Sequence, residues 1–304
     1  MTSPLLIVGS VAFDTLHNPS GTHRRILGGS ATYASIAASH FTDVRLVGVV
    51  GKDYPDSAIQ MFREHHVDVE GLEVDSSGDT FHWEGRYSDD LNSRTTLATD
   101  LNVFANFRPK IPAAWKSSPF VMLGNIDPVL QLEVLKQVEK PKLVVADTMN
   151  FWIEGKRDDL VKTLAHVDVL VLNDEEARQL SGKHNLVVAA RSLFAMGPRV
   201  IVVKKGEHGA LLFEGGEVFS APAYPTGDVV DPTGAGDVFA GGLIGYIAHK
   251  GETSHGTLRR AVIFGSALAS HCVEGIGVNR LLTLKRAEID TRYNLFRALT
   301  QFHE

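Results

Sequence analysis

Short runs that are apolar at nearly every position recur along the chain, at residues 5–8, 44–50, 120–123, 143–146, 167–172 and 200–203. A strand apolar throughout has both faces covered, so these runs predict the buried strands of a parallel sheet. Between them the apolar positions take a helical spacing, which predicts helices over 29–39, 54–65, 128–139, 158–165, 175–181 and 187–196. Such alternation means repeated βαβ units and a doubly wound α/β sheet. Beyond Gly241 the pattern is helical over 242–249, 257–272 and 285–300.

Two stretches break the rhythm. Residues 13–27 hold the polar turn His17-Asn18-Pro19-Ser20-Gly21, and residues 79–101 hold Ser88-Asp89-Asp90-Leu91-Asn92. Both read as hairpins. Phe81, Trp83 and Tyr87 fall on alternate positions with Gly85 between them, so one face of the second hairpin is aromatic. That face suits a small β-lid over a ligand, a contact with a second copy of the chain, or packing on its own domain. No internal repeat or linker divides the chain, and a single domain over 1–304 is expected.

The 304 residues carry 30 Lys+Arg against 36 Asp+Glu, a net charge of −6. That balance disfavours broad attraction to nucleic acid or an anionic membrane, so neither is expected as a partner. One cysteine cannot form an internal disulfide and fits a reducing compartment. No apolar run approaches the roughly 20 residues of a membrane span, and a cytoplasmic location is expected.

The chemistry concentrates in Asp231-Pro232-Thr233-Gly234-Ala235-Gly236-Asp237. Gly234 and Gly236 let the backbone turn with its amides exposed. The helix that follows offers unpaired N–H groups and its positive end to an anion. Asp237 adds a carboxylate there. Exposed amides beside a carboxylate suit phosphoryl transfer, the amides taking developing charge and the acid taking the attacking hydroxyl's proton. A plain helix cap is the competing reading. No GxxxxGK[ST] occurs, and the glycines neither follow the first strand nor complete a dinucleotide fingerprint, which argues against a nicotinamide dehydrogenase. The 13 histidines form no zinc-binding cluster. His65-His66 reads as a solvated helix end and Cys272 as a buried small hydrophobe.

The stretch resembles the C-terminal motif of the PfkB, or ribokinase-like, carbohydrate kinases, D-T/P-x-G-A-G-D. Gly28-Gly29 before the first helix, Asn173-Asp174-Glu175-Glu176 (similar to N-x-x-E) and Val202 to Ala210 agree with the family in order. The resemblance implies a ribokinase-like doubly wound, mostly parallel sheet with helices on both faces and a small β-lid. It implies an ATP-dependent kinase acting on the primary alcohol of a sugar or nucleoside. Asp237 would be the base, and Gly234, Ala235 and Gly236 the anion hole. Asn173 and Glu176 would place Mg²⁺ and the nucleotide phosphates, with Glu176 meeting Mg²⁺ through water, and Lys204 and Gly206 would flank the triphosphate. Asp14, Gly28 and Gly29 would hold the acceptor. Asp231 and Thr233 would belong to a monovalent-cation site for K⁺, with carbonyls of residues 273–277. The lid is also a candidate homodimer contact.

One departure bears on the substrate. Many members carry Asn where this chain has Tyr33, so a phenol is expected to meet the acceptor here. Asn125, Asp127, Asp147 and Asn150 follow strand ends, where open α/β sheets bind ligands, and are further pocket candidates. A regulatory protein that binds sugar or nucleotide without catalysis is the alternative.

Overall fold

The computed structural model describes residues 3–301. Its nine-stranded sheet has the order β13-β12-β11-β10-β9-β8-β1-β4-β5. The strands are β1 (Leu5–Val8), β4 (Val44–Gly51), β5 (Val67–Asp75), β8 (Phe120–Leu123), β9 (Leu143–Asp147), β10 (Val169–Asn173), β11 (Val200–Lys204), β12 (Ala210–Glu214) and β13 (Glu217–Ala221). From β11 to β5 every pairing is parallel, while β12 and β13 add an antiparallel hairpin at one edge.

Both faces of this sheet are covered, as the unbroken apolar runs require. Leu5 and Ile7 of β1 enter one hydrophobic cluster and Leu6 and Val8 enter the other. The first cluster includes residues of α1 (Ser30–Ser39), α8 (Ala235–Lys250) and α9 (His255–Cys272), and the second residues of α5 (Arg157–Leu164), α6 (Asp174–Ser181) and α7 (Leu186–Leu193). The sheet is therefore the middle layer of three. No helix among the described residues is long and apolar enough to cross a membrane.

A second sheet of four strands has the order β3-β2-β6-β7, with β2 (Ala12–Asn18), β3 (Gly21–Gly28), β6 (Phe81–Tyr87) and β7 (Arg94–Asp100). Each outer strand is the antiparallel hairpin partner of an inner one, and β2 and β6 join the hairpins by parallel pairing. Register puts Asp14 beside Trp83 and Tyr87 beside Arg94. Because alternate residues share a face, Asp14, Trp83 and Tyr87 lie on one side of this small sheet.

Several elements differ from the sequence expectation. The helix expected over 242–249 starts at Ala235. Its glycines hide the helical pattern because they are packing residues. A Cβ on Gly241 would lie 2.3 Å from the Ala34 carbonyl oxygen, and one on Gly245 2.8 Å from the Ala38 Cα. Close approach of α8 to α1 is what those positions select. The helix expected over 128–139 stops at Leu135. His65 caps α2 (Asp56–Glu64) and is not simply solvated: its Nδ1 lies 2.8 Å from the Met61 carbonyl oxygen and its Nε2 3.1 Å from that of Leu282. Strand β5 and the short helices α4 (Asn150–Gly155) and α10 (Asn279–Thr283) had no expectation attached.

Candidate active site

Three of the site's side chains stand at the carboxyl edge of adjacent parallel strands. Asp147 ends β9, Asn173 ends β10 and Lys204 ends β11, with Asn173 directly beside Lys204 in register. The βα loops leave the sheet at this edge, so the crevice opens here.

The Gly-rich turn faces the same crevice. Gly234 caps α8 in the left-handed conformation, at φ 75°, and a Cβ on it would lie 2.4 Å from the Tyr33 ring. Glycine is thus required twice over, by backbone geometry and by contact. Ala235 N–H donates to the Pro232 carbonyl and Val238 N–H to that of Gly234. Among the described residues no backbone carbonyl accepts the N–H groups of Gly236 and Asp237. Amides without carbonyl partners on the first turn of a 16-residue helix suit an anion, although the Asp237 N–H is taken by its own carboxyl here.

Asp237 stands on that turn, partly exposed. Burial of its carboxyl and the negative charge of Asp147 push it up to about 7, against the pull of Lys204 and Arg94. Asp14 is pushed to about 8 by burial and then by the charges of Asp231 and Asp237, again opposed by Arg94. The two acids share one field from opposite sides of the crevice, one on the small sheet and one on α8.

Asn173 and Glu176 form a reciprocal cap on α6. Asn173 Oδ1 accepts the Glu176 N–H at 2.8 Å, and Glu176 Oε2 accepts the Asn173 N–H at 2.7 Å. Capping alone does not explain the burial of Glu176, which is 6% exposed. Burial raises its carboxyl to about 7, where Lys204 favours and Asp147 opposes the charged form. Its other oxygen is uncommitted to the cap. Lys204 is no surface lysine: its side chain is 16% exposed and its ammonium lies 3.3 Å from Asp147 Oδ2. Gly206 follows in the left-handed region at φ 54°, with nothing within 4 Å of where a Cβ would stand.

On the other flank, Gly28 touches Asp14, because a Cβ there would fall 2.1 Å from Asp14 Oδ2. Gly29 has φ 92°, and a Cβ on it would meet the Ser10 carbonyl oxygen at 2.4 Å. Ser10 and Ser30 lock the turn, Ser30 N–H donating to Ser10 Oγ at 3.0 Å and Ser10 N–H to Ser30 Oγ at 3.2 Å. Asn125 is engaged by the Trp152 indole N–H, which donates to its Oδ1 at 3.0 Å. Asp127 pairs with Lys156, and the Asn150 amide donates to Gln179. Tyr33 does not lie on the open crevice wall where an acceptor contact was expected. Its large ring fills the space under Gly234, and the residue is 1% exposed with no hydrogen-bond partner for its hydroxyl.

Asp231 is fully buried and accepts the Thr233 N–H at 2.9 Å and the Gly277 N–H at 3.2 Å. Val273 does not offer a free carbonyl, since it accepts the N–H groups of both Val230 and Asp231. Cys272 is buried, as expected, with its sulfur 3.8 Å from the Thr233 carbonyl oxygen, and burial pushes its thiol up.

Arg94 was missed in the sequence. It starts β7, packs its guanidinium 5.1 Å from the Trp83 ring centre, and favours the charged forms of Asp14, Glu176 and Asp237. With Lys204 it supplies positive charge to a crevice crowded with carboxylates. Its only sequence signal is its position: the polar turn places it opposite Tyr87 on the aromatic face.

The fold matches solved ribokinase-like structures. A *Vibrio cholerae* fructokinase bound to fructose, ADP and calcium superposes with a TM-score of 0.79 at 18% identity, covering 96% of this chain and 99% of that one. A *Burkholderia thailandensis* nucleoside kinase bound to inosine gives 0.78 at 20% identity, covering 97% and 98%. These likenesses define the fold class. Residues 6–284 match the model of the pfkB family carbohydrate kinases, and the chain belongs to that family. It is therefore a kinase, and the family implies use of ATP. A cytidine kinase of *Thermococcus kodakarensis* is 30% identical over 248 residues, 80% of this chain and 88% of that protein.

Proposed function

We propose that the chain transfers the γ-phosphoryl group of ATP to the primary alcohol of a nucleoside. The observation that carries this reading is the position of Asp237, on the amide-bearing turn of α8 between the acceptor-side acid Asp14 and the phosphate-side cation Lys204. The acceptor lies against the face of the small sheet that bears Asp14, Trp83 and Tyr87, beside the Gly28-Gly29 turn. The likeness to a cytidine kinase and the aromatic face both favour a base-bearing acceptor over a simple sugar. Asp237 takes the hydroxyl proton as the oxygen attacks the γ-phosphorus in line. The bond from that phosphorus to the β,γ-bridging oxygen breaks, and ADP leaves. The N–H groups of Gly236 and Asp237 hold the transferring oxygens, and Lys204 moves from Asp147 onto the phosphates.

The residues fit Mg²⁺. Among the described residues no cluster of three or more acids, histidines or cysteines forms a metal cage, which suits an ion held chiefly by water and phosphate. Glu176, with one oxygen outside the cap, and the neighbouring Asp147 would hold it. Bound Mg²⁺ would neutralise phosphate charge. A K⁺ ion beside Asp231 and Thr233 would need carbonyls other than that of Val273, because both Asp231 oxygens and the Thr233 hydroxyl already have hydrogen-bond partners.

The test is phosphoryl transfer from ATP by the full chain across cytidine, other nucleosides, ribose and fructose. Stoichiometric nucleoside monophosphate and ADP is the expected result. Melting shifts with nucleosides but no turnover of any acceptor would favour the non-catalytic binding protein instead.

A further inference from the structure

Two hydrogen bonds tie the small sheet directly to the segment that leads into α8. Asn18 Nδ2 donates to the Val230 carbonyl at 3.2 Å, and the Thr233 hydroxyl donates to Tyr87 Oη at 2.9 Å. The second lies one residue before Gly234 and is partly buried. Thr233 is itself fixed from below, because its N–H donates to fully buried Asp231. Its side chain is thus held by the small sheet and its backbone by the main domain. Tyr87 shares its face of the small sheet with Asp14 and Trp83, so it can feel what lies beneath that sheet.

We infer that Tyr87 is a positioning residue, which through the Thr233 hydroxyl sets the Gly234–Asp237 amides in register for the transferring phosphoryl group when the small sheet covers its ligand. The inference rests on reading those amides as the phosphoryl seat. Tyr87 touches neither nucleotide nor reacting atoms in this scheme. Its effect belongs to the transition state rather than to nucleotide binding, because the phosphate-side groups Asn173, Glu176 and Lys204 are anchored on β10, α6 and β11 and not on the small sheet. Removing its oxygen leaves the Thr233 hydroxyl without its acceptor. The turn then loses its tie to the small sheet while keeping its tie to Asp231.

Binding of MgADP alone, and of MgADP with aluminium fluoride as a mimic of the phosphoryl group in flight, decides the point in the full-length protein. Tyr87→Phe should bind MgADP within twofold of wild type and hold the fluoride complex about tenfold more weakly, the scale of one ordinary hydrogen bond. Where an acceptor is turned over, kcat should fall by a similar factor with the KM for ATP little changed. Thr233→Ser keeps the hydroxyl and should hold the fluoride complex more tightly than Thr233→Val does. Tyr87→Phe combined with Thr233→Val should be no worse than Thr233→Val alone, as expected when both remove one interaction. Equal weakening of MgADP and the fluoride complex, an unchanged fluoride complex in Tyr87→Phe, or additive losses in the double variant would overturn the inference. A wild-type protein that binds MgADP but forms no fluoride complex would remove the phosphoryl-seat reading itself, and the inference with it.

Discussion

Lys204 joins two parts of the site: its Nζ lies 3.3 Å from Asp147 Oδ2 and 3.0 Å from the point where a side chain on Gly236 would begin. The buried ammonium is neutralised by the strand-end acid while its tip lies against the Gly-rich turn. A buried cation needs such a partner, since desolvation alone would disfavour its charge.

That contact separates two glycine substitutions. Gly236→Ala meets only the flexible end of Lys204, so the fold survives and the ammonium is displaced. The expected outcome is a KM for ATP raised about tenfold with the melting temperature nearly unchanged, roughly the loss of one charge-assisted contact. Gly234→Ala meets the rigid Tyr33 ring and forces an L-residue to φ 75°. It should lose on the order of 1–3 kcal/mol of stability through strain and overpacking. Denaturant unfolding alongside ATP kinetics distinguishes the two, and a stable, nucleotide-deficient Gly234→Ala would contradict this contrast.

Asp237→Asn should fold normally and lose about 10²–10⁴ in kcat, the range for a general base, with nucleotide affinity retained. The hydrogen bond its carboxyl makes is with its own backbone N–H, which the Asn side-chain carbonyl can also accept, so no structural role masks the effect. Single-turnover phosphoryl transfer measures it directly, and near-normal turnover would remove Asp237 from the reaction.

The pH dependence follows from the same acid. A base held at about 7 is protonated in acid, so kcat/KM should fall as pH drops through 7. Arg94 favours the charged forms of Asp237, Asp14 and Glu176 together. Arg94→Gln should therefore move the acid limb of the profile to higher pH. An unmoved limb in that variant, with activity intact, would mean that the guanidinium acts elsewhere.

How far the sequence foretold this arrangement depends on the kind of signal. The central strands were legible because a strand covered on both faces is apolar throughout, as in Leu5 to Val8 and Val200 to Val203. β5 was not, because at the edge of the sheet its polar residues interrupt the run, as in Val67-Asp68-Val69-Glu70. The start of α8 was obscured by glycines chosen for contact with α1 rather than for helix propensity. At the site, Asp14, Asp237 and Lys204 belong to motifs or strand ends and could be named in advance. Arg94 and Tyr87 act from across the crevice, and only the pairing of the two hairpins brings them there. Tyr33 was legible as unusual but not as a prop beneath Gly234, because ring placement depends on α1 packing against the turn.

Two histidines far from the reaction should each contribute a loss of stability in acid. His271 on α9 is 3% exposed, with Nδ1 3.4 Å from Glu274 Oε2 and Nε2 buried without a partner, and His40, the C-cap of α1, keeps its Nε2 buried and unpartnered. Burial lowers both from an ordinary 6.5 to about 4. For His271 the Arg292 charge adds to burial, and Glu274 opposes it. Since the folded state resists protonation that the unfolded chain accepts, each contribution is complete above about pH 6.5 and is lost as pH falls from there towards 4. The crevice acids act in the opposite sense. Asp14, Glu176 and Asp237 are raised on folding, so their contribution is greatest below about pH 4 and falls as pH climbs through 7 to 8. Between pH 6.5 and 4 the two sets oppose, and variants separate them. His40→Gln with His271→Gln should tilt the denaturation midpoint between pH 6.5 and 4 toward greater stability in acid than wild type shows, leaving the gain from the crevice acids. A double variant with the wild-type slope over that range would show that these histidines are not the groups acid acts through.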